Sequence, residues 1–354
     1  MGTFTPSYVA GYACPACGAR YALPRGLCAC GQPLLVGYRL DALAAAFGRE
    51  ALAARESSLW RYRELLPVAP PDEASELAAG GTPLLRLARL GAMLGLLELW
   101  AKDEGLNPTG SFKARGAAVG VTALAALGVR DLCVATSDNL GPAWAAYCAR
   151  AGLRLHVVIS DDVPRPTLRQ SSIYGAEVVV APGGAAAAFA LAEELARERG
   201  WLNISAFREP YRVEGKKTIG LELAEQRGWS LPDAIVCPTG GGVAIVGIWK
   251  AVEELAALGW LDAQRPRLIA VQSASCAPIV AAFAAGAERC DDSPYADTIA
   301  RGLRVAKPLG DRPVLRALRA SGGDAVAVSD AEIEAAVLDL AQLEGLFVAP
   351  EAAA

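Results

Sequence analysis

Short apolar runs alternate with helical stretches through the middle of this chain, and no other feature restricts its fold as much. "DLCVA" (131–135), "LHVVIS" (155–160), "EVVVA" (177–181), "AIVC" (234–237) and "LIAVQ" (268–272) have strand length and are mostly apolar. Between them lie stretches of helical character such as "PAWAAYCARAG" (142–152) and "AAAAFALAEELARERG" (185–200). Strand, helix and strand repeated in this way predict an α/β protein with parallel sheets covered by helices on both faces. In such sheets the turns at the carboxyl ends of the strands gather where ligands bind.

At 354 residues the chain is long enough for two medium domains or one large one. A formal net charge of -4 with interspersed signs offers no basic face for a phosphate backbone, so nucleic acid is not an expected partner. Apolar residues make up 53 %, yet each apolar run is interrupted before membrane-spanning length. The start "MGTFTPSYVAGYACPACG" lacks a basic, then apolar, export signal, although "MGTFTP" loosely matches a myristoylation pattern. The expected location is the cytoplasm, without membrane contact.

The nine cysteines fall into two groups, four within Cys14 to Cys30 and five scattered at Cys133, Cys148, Cys237, Cys276 and Cys290. In "CPACGARYALPRGLCACG" two close pairs are each followed by glycine, which lets backbone amides turn toward the sulfurs. Cys14, Cys17, Cys28 and Cys30 are therefore candidate ligands of a structural zinc ion, against a metal-free cysteine-rich loop. Four thiolates would leave no open position for catalysis. "LDALAAAFGREALAARESSLWRYRELLP" (40–67) reads as helix, an arm that ends at the proline-rich 67–71 stretch.

With His156 the only histidine, set in an apolar strand, a Ser-His-Asp apparatus is poorly supported and His156 reads as a core or strand-end residue. "AIVCPTGGGVAIVGIWKA" is strand, glycine turn and helix; its amides can converge on an anion, or the glycines can serve the turn alone. "VATSDNLGPAWAAY" repeats that plan with Thr136, Ser137, Asp138 and Asn139, for which ordinary helix capping is the plain alternative. "NPTGSFKARG" sets Lys113 between a turn and a run of small apolar residues, where a buried amine can form an imine with a carbonyl compound. Lysine, glycine turn and asparagine are together compatible with one anionic cofactor.

These residues resemble the fold-type II pyridoxal-phosphate enzymes (tryptophan synthase beta-like), and among them the threonine synthases. "GGTPLLRLARL", "NPTGSFKARG", "EGKKTIGLELAEQRGW", "PTGGGVAIVGIWKA", "VQSASCAPI", "TIARGLRVAKPLGD" and "EGLFVAPEAAA" occur in the family's order from about Gly80 to Ala354, and the cysteine ribbon resembles the one some threonine synthases carry. The resemblance implies two open, mainly parallel sheets flanked by helices. It also implies domains at 1–36 (zinc-ribbon-like), 37–80 (helical arm), 81–114 with 206–354 (large, cofactor-binding, apparently truncated at the C-terminus) and 115–205 (small). Lys113 would hold pyridoxal 5'-phosphate as a Schiff base and act as base. Gly240, Gly241, Gly242 and Val243 would bind its phosphate, and Asn139 its ring hydroxyl. Ser111, Thr136 and Ser137 would meet the substrate. Lys216 and Lys217, with Arg304 and Lys307, are cations available to a phosphorylated amino acid. The implied reaction converts O-phosphohomoserine and water to threonine and phosphate, in a chain that forms a homodimer as family members commonly do.

Three departures from the family pattern stand out. Asp138 occupies a position usually held by glycine, and Ala114 one usually held by aspartate. The chain stops at Ala354 where relatives continue into a segment with a polar partner for the pyridine nitrogen. A serine/threonine dehydratase or other β-lyase is the alternative on the same scaffold. A non-catalytic cofactor-binding or interaction protein is the alternative of another class.

Overall fold

The computed structural model describes residues 8–161, 165–261, 264–293 and 296–354; the stretch that loosely matches a myristoylation pattern, residues 1–6, lies outside them. In chain order the strands are β1 (Val9–Ala13), β2 (Arg20–Tyr21), β3 (Leu35–Tyr38), β4 (Leu84–Arg86), β5 (Trp100–Lys102), β6 (Asp131–Ala135), β7 (Arg154–Ser160), β8 (Glu177–Ala181), β9 (Leu202–Asn203), β10 (Ala234–Pro238), β11 (Arg267–Ser273) and β12 (Asp324–Val328). All five strands expected from the apolar runs are present, and parallel pairing joins them to β9 and β12.

Contacts divide the chain into two units, residues up to Gly81 with Asn107–Thr218, and Thr82–Leu106 with Ile219–Ala354. The Lys113 turn and residues 206–218, assigned in sequence to the large domain, thus group with the β6–β9 sheet.

In the first unit four parallel strands run in the order β8-β7-β6-β9. The central strand β7 buries Val157, Val158 and Ile159, and His156 beside them is paired in register with Cys133. His156 is structural in its surroundings: its ring stacks on Trp201 at 3.6 Å, and its Nδ1 lies 2.8 Å from Glu177. Two helices that matter for the site, Lys113–Ala126 and Leu140–Ala151, meet at Gly120, where a Cβ would stand 2.5 Å from the Trp144 indole. Only glycine admits that approach, and it fixes one helix against the other. The N-terminal segment is a small antiparallel sheet, β2-β1-β3.

The expected long helix over 40–67 is not formed. It breaks into an α-helix (Leu40–Ala46) and two 3₁₀ stretches (Arg49–Ala54 and Leu59–Leu65), because Gly48, Arg55 and Ser58 adopt extended backbone. Ser58 caps the last stretch through Trp60 N–H, a residue type that competes with helix interior hydrogen bonding. Arg55 holds the pieces together with two bonds to Glu64, at 2.6 and 2.8 Å.

The second unit carries a parallel sheet in the order β10-β11-β12, and an antiparallel pair, β4 and β5. Leu268 and Ala270 of β11 are wholly buried, as a central strand of a two-sided parallel sheet requires. The helix Val243–Ala257 follows β10 directly.

Candidate active site

Lys113 opens its helix at the end of a strained turn. Thr109 and Gly110 both adopt left-handed backbone, φ 66° and 71°, a conformation costing a β-branched residue roughly 1–2 kcal/mol. Asn107 holds the turn by accepting a hydrogen bond from Gly80 N–H at 3.0 Å, and Ser111 Oγ accepts a long one from Lys113 N–H at 3.4 Å. The hydroxyl of Thr109 is buried without a hydrogen-bond partner among the described residues. The Lys113 side chain is 21 % exposed, which leaves its amine within reach of a small molecule.

That amine donates to Asp138 Oδ2 at 2.6 Å. The other carboxylate oxygen accepts from the Thr136 hydroxyl at 2.8 Å and from Leu140 N–H at 2.9 Å. Asp138 therefore folds back on the start of its own helix while holding the lysine. Burial would push its carboxyl up, but the Lys113 ammonium, helped by Leu140 N–H and Thr136, outweighs it and holds the carboxyl below the usual range. The field of Arg212 also reaches Asp138; this guanidinium is buried against Glu209 and Trp144, with Nη1 lacking a hydrogen-bond partner. Sequence reading marked Asp138 as a departure and missed its hold on Lys113. Arg212 and Glu209 carried no sequence signal beyond their opposite charges three residues apart.

Of the other residues expected in this unit, Thr136 joins the Lys113 cluster, Ser137 is half-buried next to it, and Asn139 is exposed at the helix start. Lys216 is buried and donates to the carbonyl of Phe112, the residue before Lys113, with its ammonium 3.5 Å from the Phe112 ring centre. Lys217 points into a different environment. Its side chain is 0 % exposed and bonded to Glu214 at 2.6 Å and the Leu65 carbonyl at 2.5 Å, while Tyr38 of β3 donates to the same Glu214 oxygen at 2.7 Å.

In the second unit the turn after β10 is built for bare backbone. Gly242 has φ 85°, and a Cβ on it would overlap Val314; a Cβ on Gly240 would stand 2.5 Å from the Gly302 carbonyl oxygen. Thr239 anchors the turn's entrance, its N–H donating to the Val271 carbonyl at 2.8 Å and its own carbonyl accepting from buried Gln272 at 3.1 Å. The N–H groups of Gly240, Gly241, Gly242 and Val243 have no assigned acceptor among the described residues. They stand at the N-terminus of the Val243–Ala257 helix, whose dipole favours an anion there. Arg304 pairs with Asp297 at 2.7 Å and Lys307 with Asp292 at 2.8 Å, both in this unit.

The four N-terminal cysteines converge. All four sulfurs lie within 4.8 Å of one another, with Cys14 and Cys30 at 3.6 Å and Cys17 and Cys28 at 3.5 Å. Edges near 3.8 Å are what a tetrahedron with Zn–S bonds of about 2.3 Å requires, so the donor set fits a zinc ion. Tyr21 Oη, 3.2 Å from Cys28, pulls that thiol down to about 6, toward the thiolate a metal needs.

The family model of pyridoxal-phosphate dependent enzymes matches residues 75–354, and the chain belongs to that family. Within it the chain belongs with the threonine synthases. The threonine synthase of Methanocaldococcus jannaschii is 37 % identical over 96 % of this chain and 84 % of its own length, and that of Methanosarcina acetivorans is 36 % identical over the same shares. Among solved structures, maize serine racemase aligns with a TM-score of 0.67 at 26 % identity, covering 77 % of this chain and 80 % of that one. An L-serine ammonia-lyase from Rhizomucor miehei gives 0.63 at 25 %, covering 77 % and 84 %. The chain is thus a pyridoxal-phosphate dependent lyase with an α/β fold of the type II class. Each unit carries groups of the kind the cofactor needs: in the first a reachable amine on Lys113 and a buried hydroxyl on Thr109 with no partner among the described residues, in the second a glycine turn with available amides. None of the described helices is long and apolar enough to cross a membrane.

Proposed function

We propose that this chain converts O-phosphohomoserine and water to threonine and phosphate, in the cytoplasm, as a homodimer. The observation that carries the reading is the reach of the likeness: 36–37 % identity to two threonine synthases over 96 % of the chain, a span too long to leave out the cysteine segment. The racemase and ammonia-lyase structures cover 77 %.

Lys113 is the residue assigned to carry pyridoxal phosphate. When bound, that cofactor supplies the conjugated ring that takes up the electron pair left by a proton departing an amino acid's α-carbon. The Lys113 amine would take the α-proton and hold it for return further along the substrate. Gly240, Gly241, Gly242 and Val243 bind the cofactor phosphate through backbone N–H groups, which is consistent with their lack of assigned acceptors. Asn139 orients the ring through its hydroxyl. Ser111, Thr136 and Ser137 supply donors for the substrate carboxylate. Lys216 positions Lys113 by holding the Phe112 carbonyl. Lys217, wholly buried against Glu214, supports its helix rather than meeting substrate. Cys14, Cys17, Cys28 and Cys30 hold a structural zinc ion.

Phosphate release from O-phosphohomoserine, measured beside keto-acid formation from serine and threonine, tests the reading. Phosphate and threonine in equal amounts are expected. Keto acid without phosphate release would assign the chain to the dehydratases instead, the second reading, which the 25 % identical L-serine ammonia-lyase supports. Cofactor absorbance that no amino acid perturbs would leave a binding protein. Light scattering tests the dimer, for which the exposed apolar side chains Leu94, Leu96 and Leu97 offer a surface.

A further inference from the structure

The turn after β6 contains a negative charge aimed at the amine assigned to the cofactor. Asp138 is held at three points: Lys113 Nζ at 2.6 Å, Thr136 Oγ1 at 2.8 Å and Leu140 N–H at 2.9 Å. The pair is shielded from solvent, with the side chains 21 % and 17 % exposed, so water screens it less than a surface ion pair. An ammonium ion has no lone pair with which to attack a carbonyl carbon. To react, Lys113 must leave this partner and lose a proton to water; its nitrogen then bonds to the aldehyde carbon, and the carbonyl oxygen departs as water.

We propose that Asp138 is a positioning residue that gates Lys113: in the cofactor-free chain it holds the amine as a paired ammonium, and attachment of an aldehyde requires that this pairing be given up. The surroundings make the exchange feasible. When Lys113 leaves, the Asp138 carboxylate still has Thr136 and Leu140 N–H as donors, and the field of Arg212. Arg212 is in turn balanced by Glu209 at 3.2 Å, and the Lys216 ammonium lies over the Phe112 ring beside the Lys113 helix start. The carboxylate thus gives up its ion pair but keeps two hydrogen-bond donors. Thr136 is one of the donors assigned above to the substrate carboxylate, so Asp138 also competes for it and restrains substrate entry.

The inference rests on Lys113 as the cofactor-bearing residue for its functional meaning, but its test does not need cofactor. Full-length, cofactor-free protein is treated with a trace of acetic anhydride, and acetylation at Lys113 is measured by peptide mass spectrometry relative to the surface residue Lys307 in the same digest. Asp138→Asn should raise the Lys113:Lys307 labelling ratio on the order of tenfold, and the appearance of cofactor absorbance on mixing with pyridoxal phosphate should quicken by a similar factor. A purely structural role for Asp138 would not move Lys113 selectively. Thr136→Val, which keeps the carboxylate but removes one anchor, should shift the ratio in the same direction by less, and decides the matter if Asp138→Asn does not fold. An unchanged or lowered ratio overturns the gate. Labelling that rises in a protein that takes up no pyridoxal phosphate would sink the cofactor assignment and leave the gate standing.

Discussion

Two strand-to-helix turns, after β6 and after β10, share one plan and differ in what fills them. The turn after β10 is Thr-Gly-Gly-Gly; glycine at 240 and 242 is enforced by neighbours that a Cβ would strike, and the N–H groups that follow have no assigned acceptor. The turn after β6 is Thr-Ser-Asp-Asn, and its aspartate occupies the helix start and grips Lys113. Backbone alone makes the first ready for an anion from outside. At the second, any incoming carboxylate meets one already in place. One side chain, Asp138, fills at the second turn what bare backbone leaves open at the first.

The largest break in this comparison is removal of the amine. Lys113→Ala should abolish the visible cofactor band and lower turnover by about 10²–10⁴-fold, measured as phosphate release. Next is the ribbon, which lies outside both turns. If the four cysteines hold zinc as proposed, Cys28→Ser should lower the metal content, read by metal analysis, and destabilise the N-terminal segment by several kcal/mol in urea. Gly242→Ala sharpens the contrast between the turns: a left-handed alanine that also overlaps Val314 should cost ~2–3 kcal/mol. That loss should appear in equilibrium titration with pyridoxal phosphate and not with pyridoxal, which has no phosphate for this turn to bind. The smallest effect is the stability contributed by the Lys113–Asp138 pair. Burial raises the Asp138 carboxyl but Lys113 outweighs it, so the folded value lies below the unfolded one. The pair's contribution, about 1 kcal/mol, is then complete above an ordinary aspartate value near 4 and fades as pH falls through the lower folded value. Wild type should exceed Asp138→Asn in thermal stability at pH 6, and the gap should close as pH falls through that lower folded value.

What the sequence made legible follows from burial. Strands β6, β7, β8, β10 and β11 announce themselves because most of their residues are apolar and flanked by helices or turns. Strand β12, "DAVAV", has no such signal; three of its five residues are exposed and the other two half-buried, on an edge of the sheet, so its pattern carries little hydrophobic signal. The helix expected over 40–67 failed at Gly48 and at the serines, where local backbone preference won over an alanine-rich composition. In the site, the candidate lysine, the glycine turn and the cysteine pairs could be picked out by residue type and spacing. The Lys113–Asp138 bond could not, since 25 residues separate the partners and tertiary packing, Gly120 on Trp144 included, brings their helices together. The burial of Lys217 was equally hidden, because Tyr38 and Leu65 reach it from far upstream.

Borohydride reduction of the cofactor-saturated protein, followed by peptide mapping, tests the central claim most directly. The pyridoxyl group should be found on the peptide containing Lys113, at about one per chain. Its absence from Lys113, or its presence on Lys216 or Lys217 instead, would contradict the account.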